Sequence, residues 1–322
     1  MKTLTAALAI LVAAVMAGNA EPVYSDVVGY QNLTIKGSAS GSYFNFIPVQ
    51  LSKAPVFVGT GLASGLVVTL AGSPLGDLIS APHYLIIKSG SGVGLISDIV
   101  TATSTTVTTT EDLSSYITTG TSVAVIPHVL LSDVLGSASN LVIQGGTADT
   151  ADLVYLVGSD GSFTPYYFKN VGFGQGWKNA TTAATVDKVP VYPSEAILVE
   201  RKSATDTSAI TQIGFLASTE MKHVYAEGLT SGASAFPASL NLASLTSVVQ
   251  GGPAGIADTV YLVDQATGQL TPYYFKNAGL GQGWKDAVTA ATVDAATINI
   301  GSGFIIQRNQ STPAMLVETR PY

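Results

Sequence analysis

Thr164-Pro-Tyr-Tyr-Phe-Lys-Asn170, followed by Gly174-Gln-Gly-Trp177-Lys-Asn-Ala-Thr181, returns almost unchanged as Thr271-Pro-Tyr-Tyr-Phe-Lys-Asn277 and Gly281-Gln-Gly-Trp284-Lys-Asp-Ala-Val288. Residues 164–188 and 271–295 agree at 20 of 25 positions without a gap, at an offset of 107. A match of that length establishes an internal duplication. Upstream, Asp152-Leu-Val-Tyr-Leu-Val157 matches Asp258-Thr-Val-Tyr-Leu-Val263 at an offset of 106, so one extra residue lies in the second connecting loop. Those connections, Gly158-Ser-Asp-Gly-Ser162 and Asp264-Gln-Ala-Thr-Gly268, are turn chemistry between two apolar runs. Each unit therefore opens with a hairpin whose second strand carries Tyr-Tyr-Phe and passes through a Gly-x-Gly-Trp loop. It ends in a strand, Ala196-Ile-Leu-Val-Glu-Arg201 or Gly303-Phe-Ile-Ile-Gln-Arg308, and a third such run, Ala314-Met-Leu-Val-Glu-Thr-Arg320, follows.

Outside the repeat, short β-branched runs alternate with Gly and Ser, as in Val27-Val-Gly-Tyr30, Tyr43-Phe-Asn-Phe-Ile47 and Leu66-Val-Val-Thr-Leu70. Thr101 to Thr110 is nearly all Thr, Ser and Val, which suits a pleated surface and disfavours a helix. No sustained helical stripe is present. The expected fold is all-β, mostly antiparallel, with sandwich or barrel-like modules and little helix. The expected organisation is a leader over 1–20, an N-terminal β module over 21–136, and a β region over 137–322. That last region holds the two related units, about 139–202 and 246–309, linked by 203–245.

Only 11% of the 322 residues are charged, while 47% are hydrophobic and 33 are Gly. The polar surface must then be largely Ser, Thr, Asn and Gln, which gives little protection against self-association. A net charge of −7 with 14 Lys plus Arg offers no basic cluster for phosphates, which argues against nucleic acid and anionic membrane surfaces. Cysteine is absent, so disulfides, thiol catalysis and cysteine-ligated metal are excluded. The first twenty residues, with Lys2, an apolar core from Leu4 to Ala17, and Gly18 and Ala20 before Glu21, read as a cleaved export signal. No later run resembles a spanning helix.

Val28-Gly-Tyr-Gln-Asn-Leu33, Tyr84-Leu-Ile-Ile-Lys-Ser-Gly90, Ile126-Pro-His128, the Tyr-Tyr…Gly-Trp elements and Phe304-Ile-Ile-Gln-Arg308 together resemble an uncharacterised family of exported β-rich proteins from Verrucomicrobia-type bacteria. The likeness covers most of 24–310. It departs at Pro127-His-Val-Leu-Leu131, where the family has a Pro-x-x-Thr-Leu ending. The resemblance implies export to an envelope or extracellular site and carries over no catalytic residue.

His83, His128 and His223 are 45 and 95 residues apart, which is no metal-ligand spacing. Calcium is the one cofactor left open. Asp149, Asp152 and Asp160 lie near one turn, and Asp258 and Asp264 occupy matching places in the second unit. No EF-hand loop is present, and turn-stabilising Asx contacts account equally well for these residues. No Gly-x-Ser-x-Gly elbow or marked carboxylate pair points to a hydrolase, and Glu200-Arg201 reads as a rim charge, so the chain is read as non-catalytic. The best ligand-contact candidates are Tyr166, Tyr167 and Trp177, repeated as Tyr273, Tyr274 and Trp284. Flat rings beside amides can hold a sugar, though a Trp in a Gly-rich loop also folds back as a plug over a β core. In a strand, Tyr166 and Tyr167 face opposite sides, one toward the core and one free.

The leading expectation is a secreted or cell-surface structural or interaction protein, self-associating or joined to other envelope proteins through its β modules. A carbohydrate-binding module or adhesin is the alternative and requires the repeated rings to be exposed. An outer-membrane β-barrel is a third reading, and it needs strands of about 9–11 residues.

Overall fold

The structure, a computed structural model, describes residues 28–38, 41–71, 81–158, 160–202, 208–236, 240–300 and 303–320. The expected leader over 1–20 lies outside them. The chain begins with β1 (Val28–Ile35) and β2 (Tyr43–Pro48). Six strands follow: β3 (Phe57–Ser64), β4 (Val67–Ala71), β5 (His83–Ile87), β6 (Ile96–Ala102), β7 (Thr106–Thr109) and β8 (Thr121–Pro127). They close an antiparallel barrel in the order β3-β4-β7-β6-β5-β8.

After the barrel come β9 (Val129–Leu130), a short helix (Leu131–Leu135), β10 (Leu153–Val157), β11 (Phe163–Lys169), β12 (Gly176–Asn179), β13 (Pro190–Val191), β14 (Ala196–Arg201) and β15 (Ser208–Phe215). The last stretch holds β16 (Met221–Tyr225), β17 (Gly228–Gly232), a 3-10 turn (Leu242–Leu245), β18 (Thr259–Val263), β19 (Leu270–Lys276), β20 (Gly283–Asp286), β21 (Phe304–Arg308) and β22 (Ala314–Glu318). The all-β, mostly antiparallel architecture with little helix is as the residue pattern requires.

The boundaries differ from the expected ones. One five-stranded sheet runs β12-β11-β10-β14-β2 and the other β20-β19-β18-β21-β17. The N-terminal strand β2 thus completes the first repeat, pairing Ala196↔Pro48 through Arg201↔Tyr43, while β17 fills the same place in the second. A two-stranded ribbon accompanies each sheet, β1 with β15 and β16 with β22. The folded repeat is therefore larger than the repeat in sequence. Unit 1 consists of 28–52 and 128–215, unit 2 of 221–318, and the barrel is an insertion into unit 1. The expected 21–136 module splits accordingly, and the stretch read as a linker, 203–245, supplies β15, β16 and β17.

Strands buried on both faces explain the continuous apolar runs. In β5 and β8, Leu85, Ile87, Val123 and Val125 fill the barrel interior. Their neighbours Tyr84, Ile86, Ala124 and Ile126 face outward onto Met221, Ala235 and Phe236 of unit 2. The barrel strands run from four to eight residues around an apolar interior, shorter than a lipid-spanning strand. Among the described residues, no helix is long and apolar enough to cross a membrane.

The two sheets pack face to face through Phe46, Ala196, Leu198, Ala233 and Ile305. Leu198 and Ile305 are equivalent under the 107 offset, and so are Ala196 and Gly303. A Cβ on Gly303 would lie 2.4 Å from the Cβ of Ala196. Equivalent residues that touch mark a local two-fold axis, and glycine is required there because the sheets approach too closely for a methyl group. The hairpin tips obey the same symmetry: Leu229 N–H donates to Gly161 O (3.2 Å) and Phe44 N–H donates to Gly268 O (2.8 Å). The end of each unit's first hairpin strand therefore meets the start of the other unit's fifth strand, so the two sheets run head to tail.

Candidate functional site

The repeated aromatics were the first candidates, and the structure places them in the cores. Trp177 and Trp284 are 3% and 4% exposed. Each stands opposite a phenylalanine across the β11–β12 or β19–β20 pairing, Phe168↔Trp177 and Phe275↔Trp284, with ring centroids 5.6 and 5.7 Å apart. Trp177 Nε1 donates to Gly136 O just after the helix, and Trp284 Nε1 to Thr246 Oγ1 just after the 3-10 turn, both at 3.0 Å. Tyr166 and Tyr273 pack, half-buried, against the same cores. Tyr167 and Tyr274 face the other side as expected but are buried there, opposite Lys178 and Lys285. No exposed plane forms from these six rings, which removes the condition that the sugar-binding reading required.

The aspartates are committed as well. Asp152 and Asp258 are fully buried and ion-paired, Arg201 Nε to Asp152 Oδ2 at 2.9 Å and Arg308 Nη1 to Asp258 Oδ2 at 3.4 Å. Each carboxylate also accepts two backbone N–H groups, Gln144 and Lys202 in unit 1 and Gln250 and Asn309 in unit 2. Arg201 is accordingly a core residue and not a rim charge. Asp160 accepts from Ser162 N–H, and Asp264 from Ala266 and Thr267 N–H, as turn-forming side chains do. Among the described residues, no group of three or more His, Asp or Glu is placed to hold a metal.

A polar junction lies where barrel, unit 1 and unit 2 meet. Asp98 Oδ1 is 2.9 Å from His128 Nε2, and Tyr192 OH donates to Asp98 Oδ2 at 2.6 Å. Burial pushes the Asp98 carboxyl up, but the bonds from His128 and Tyr192 outweigh it and hold it below the usual range. Nearby, His223 Nδ1 is 3.4 Å from Ser194 Oγ. That hydroxyl donates to Pro193 O at 2.5 Å, so it is not aligned as a nucleophile on the histidine. The positive φ of Ser194, 62°, belongs to a tight turn with Pro193 before it, closed by Glu195 N–H to Tyr192 O.

Burial holds His223 down to about 4. Glu195 is half-buried as a whole residue, yet desolvation pushes its carboxyl up to about 8, with the Asp98 charge adding to the rise. The two shifts act on stability in opposite directions. Below about 6.5 the unfolded chain protonates His223, which the folded chain resists down to about 4, so stability is lost as pH falls through that window. Above about 4.5 the unfolded chain releases the Glu195 proton, which the folded chain keeps up to about 8, so stability is lost as pH rises. Thermal unfolding across this range should show Glu195→Gln flattening the fall between about 6.5 and 8 and steepening the rise of stability with pH between about 4.5 and 6.5, where the His223 slope is no longer opposed. An unchanged alkaline fall in that variant would contradict the assignment.

The exposed features that the two units share are their loop tips. Phe173 is 97% exposed and Leu280, its equivalent, 94%. Each is flanked by glycines at positive φ, Gly172 and Gly174 (both 67°) and Gly279 and Gly281 (77° and 67°). Lys169 Nζ donates to Phe173 O at 2.7 Å, and Lys276 Nζ to Leu280 O at 2.6 Å. The loop bases are tied down too: Gly146 N–H bonds Phe168 O, Gly252 N–H bonds Phe275 O, and Asn170 and Asn277 pack on Gly145 and Gly251. These are built loops, each presenting one large apolar side chain to solvent. The head-to-tail packing sends them beyond opposite ends of the sandwich. The sequence pattern drew attention to the tryptophan of the Gly-x-Gly-Trp run, as a ligand contact or a plug over the β core, and away from the tip before it. The signal was an apolar residue kept between two glycines, with its lysine, in both copies.

No known family model, curated protein or solved structure matches the chain. Its own geometry has to carry the functional reading.

Proposed function

We propose that this chain is an exported, non-catalytic structural protein that bridges partners through its two ends. The carrying observation is the pair of matched apolar tips, Phe173 and Leu280, held on rigid loops at opposite ends of a two-fold core. Exposing a large apolar side chain at the summit of a well-ordered loop stabilises nothing within the chain itself. It becomes favourable once a partner removes it from water. The leader-like N-terminus and the family resemblance support export, and the low charge favours close contact between neighbours.

A photoreactive residue at position 173 or 280, introduced in producing cells, tests the reading. Both positions should give adducts well above those from position 288, where Val288 is 78% exposed but lies off the tips. Adduct levels at 173 and 280 no higher than at 288 would refute it.

A further inference from the structure

We propose that β1 pairs antiparallel with β1 of a second copy, joining two molecules along an exposed strand edge. This surface is separate from the loop tips and belongs to the β1–β15 ribbon of unit 1. At one end of the ribbon the Phe215 N–H and C=O both bond Ser52, at 2.9 and 3.0 Å. They therefore point away from β1, so Val28 and Phe215 stand opposite each other without exchanging hydrogen bonds. Bonded and non-bonded pairs alternate along an antiparallel ladder, so Tyr30↔Ile213, Asn32↔Thr211 and Thr34↔Ala209 are of the same non-bonded kind. The N–H and C=O of Tyr30, Asn32 and Thr34 then point out from the free side of β1. Among the described residues, these backbone groups have no hydrogen-bond partner.

A row of donors and acceptors at strand spacing is complemented by another extended strand, which fixes the occupant's backbone. Its side chains follow from charge. The edge strands β12, β16, β20 and β22 each carry a Lys, Asp or Glu, the usual guard against such pairing, whereas β1 and β15 carry none. The outer face of the ribbon is apolar at one end, with Tyr30, Ile213 and Val28 being 76%, 74% and 60% exposed. The chain as a whole has a net charge of −7, so two copies repel over most approaches. A two-fold contact also sets a segment against itself, and only a neutral segment then avoids opposing like charges. β1 meets both requirements. Its backbone is self-complementary in the antiparallel sense, and pairing merges two two-stranded ribbons into one four-stranded sheet. Tyr30 and Ile213 of both copies would lie on the same face of that sheet.

Sedimentation of the wild-type protein should show a monomer–dimer equilibrium that stops at the dimer, because both copies use the same edge. Hydrogen exchange should place the contact. The Tyr30 and Asn32 N–H groups should gain protection as concentration rises, while those of Gly29 and Gln31, bonded to β15, stay protected throughout. Asn32→Pro removes an outward N–H without taking a bond from the β1–β15 ladder, and should weaken dimerisation by roughly tenfold or more. Tyr30→Lys, at an exposed position, should abolish the dimer and leave the far-ultraviolet circular dichroism unchanged. An equimolar mixture of Tyr30→Lys and Tyr30→Glu should restore it, because opposite charges then meet across the pairing. Wild type that stays monomeric at its highest soluble concentration would overturn the proposal. So would a dimer that survives Tyr30→Lys, or one in which the Tyr30 and Asn32 N–H groups exchange freely. A monomer that instead takes up an uncharged extended peptide along β1 would make a foreign strand the occupant and remove the second copy. Neither variant alters the adducts expected at 173 and 280, so the bridging reading stands or falls separately.

Discussion

Asp258→Ala is expected to lower unfolding stability by about 3–5 kcal/mol, the range for removing one partner of a buried ion pair. Asp258 is fully buried, and three groups depend on it. Arg308 loses its carboxylate, and the N–H groups of Gln250 and Asn309 lose their shared acceptor. The Arg308 guanidinium still reaches the carbonyls of Val248 and Thr312, but a cation held by carbonyls alone in a dry core keeps its desolvation cost without its counter-charge. Asp152→Ala should cost a similar amount, because Asp152 bridges Gln144, Lys202 and Arg201 in the same way. Denaturant unfolding gives the size of the effect. Hydrogen exchange gives its place, and protection should fall first in β18 and β21 for Asp258→Ala and in β10 and β14 for Asp152→Ala. A loss below about 1 kcal/mol in both would mean that the pairs are no stronger than surface bridges.

Trp284→Ala should cost about 3–5 kcal/mol through the cavity left in the unit 2 core. Trp177→Ala should cost at least as much. It removes the indole from unit 1 and also strips Gly136 O of the N–H it accepts, whereas the partner of Trp284 is the half-buried hydroxyl of Thr246, which water can reach. Phenylalanine at either position should recover most of the packing and leave the hydrogen-bond difference between the units as the residual. Wild-type stability in both alanine variants would return these rings to the surface and revive the sugar-platform reading.

The sequence made the hairpins and the final strand of each unit legible, because the second copy acts as an alignment of the first. Thr-Pro-Tyr-Tyr-Phe-Lys repeated intact, and the turn residues between Val157 and Phe163 pointed to a hairpin that does form, Val154↔Tyr166 to Val157↔Phe163. The fifth strand was not legible. β2 and β17 share their place at the edge of the sheets but not their sequence, since an edge strand needs only a fitting alternation to pair with its one neighbour, and a run of 57–127 separates β2 from the rest of its unit. The ion pairs were half legible. Asp152 and Arg201 recur as Asp258 and Arg308, but a single sequence does not say that two charges some fifty residues apart meet in a core. The tryptophans were legible only as a choice between a plug over the core, which the structure shows, and a ligand contact, because a single sequence does not say which way a ring in a Gly-rich loop turns.

The contact between Ala196 and Gly303 says something about how such a chain arises. Two copies that meet across a two-fold axis describe a homodimer, and here the partners are covalently one molecule. In a dimer of identical chains, any change to one half appears in both. Joined in tandem, they are free to differ, and the six-stranded barrel sits in the first half alone. A symmetric ancestor would have had to accommodate two barrels, each bearing on the opposite subunit where Tyr84 and Ile86 now bear on Phe236. A single chain is free of that constraint, so one half can carry a module that the other lacks.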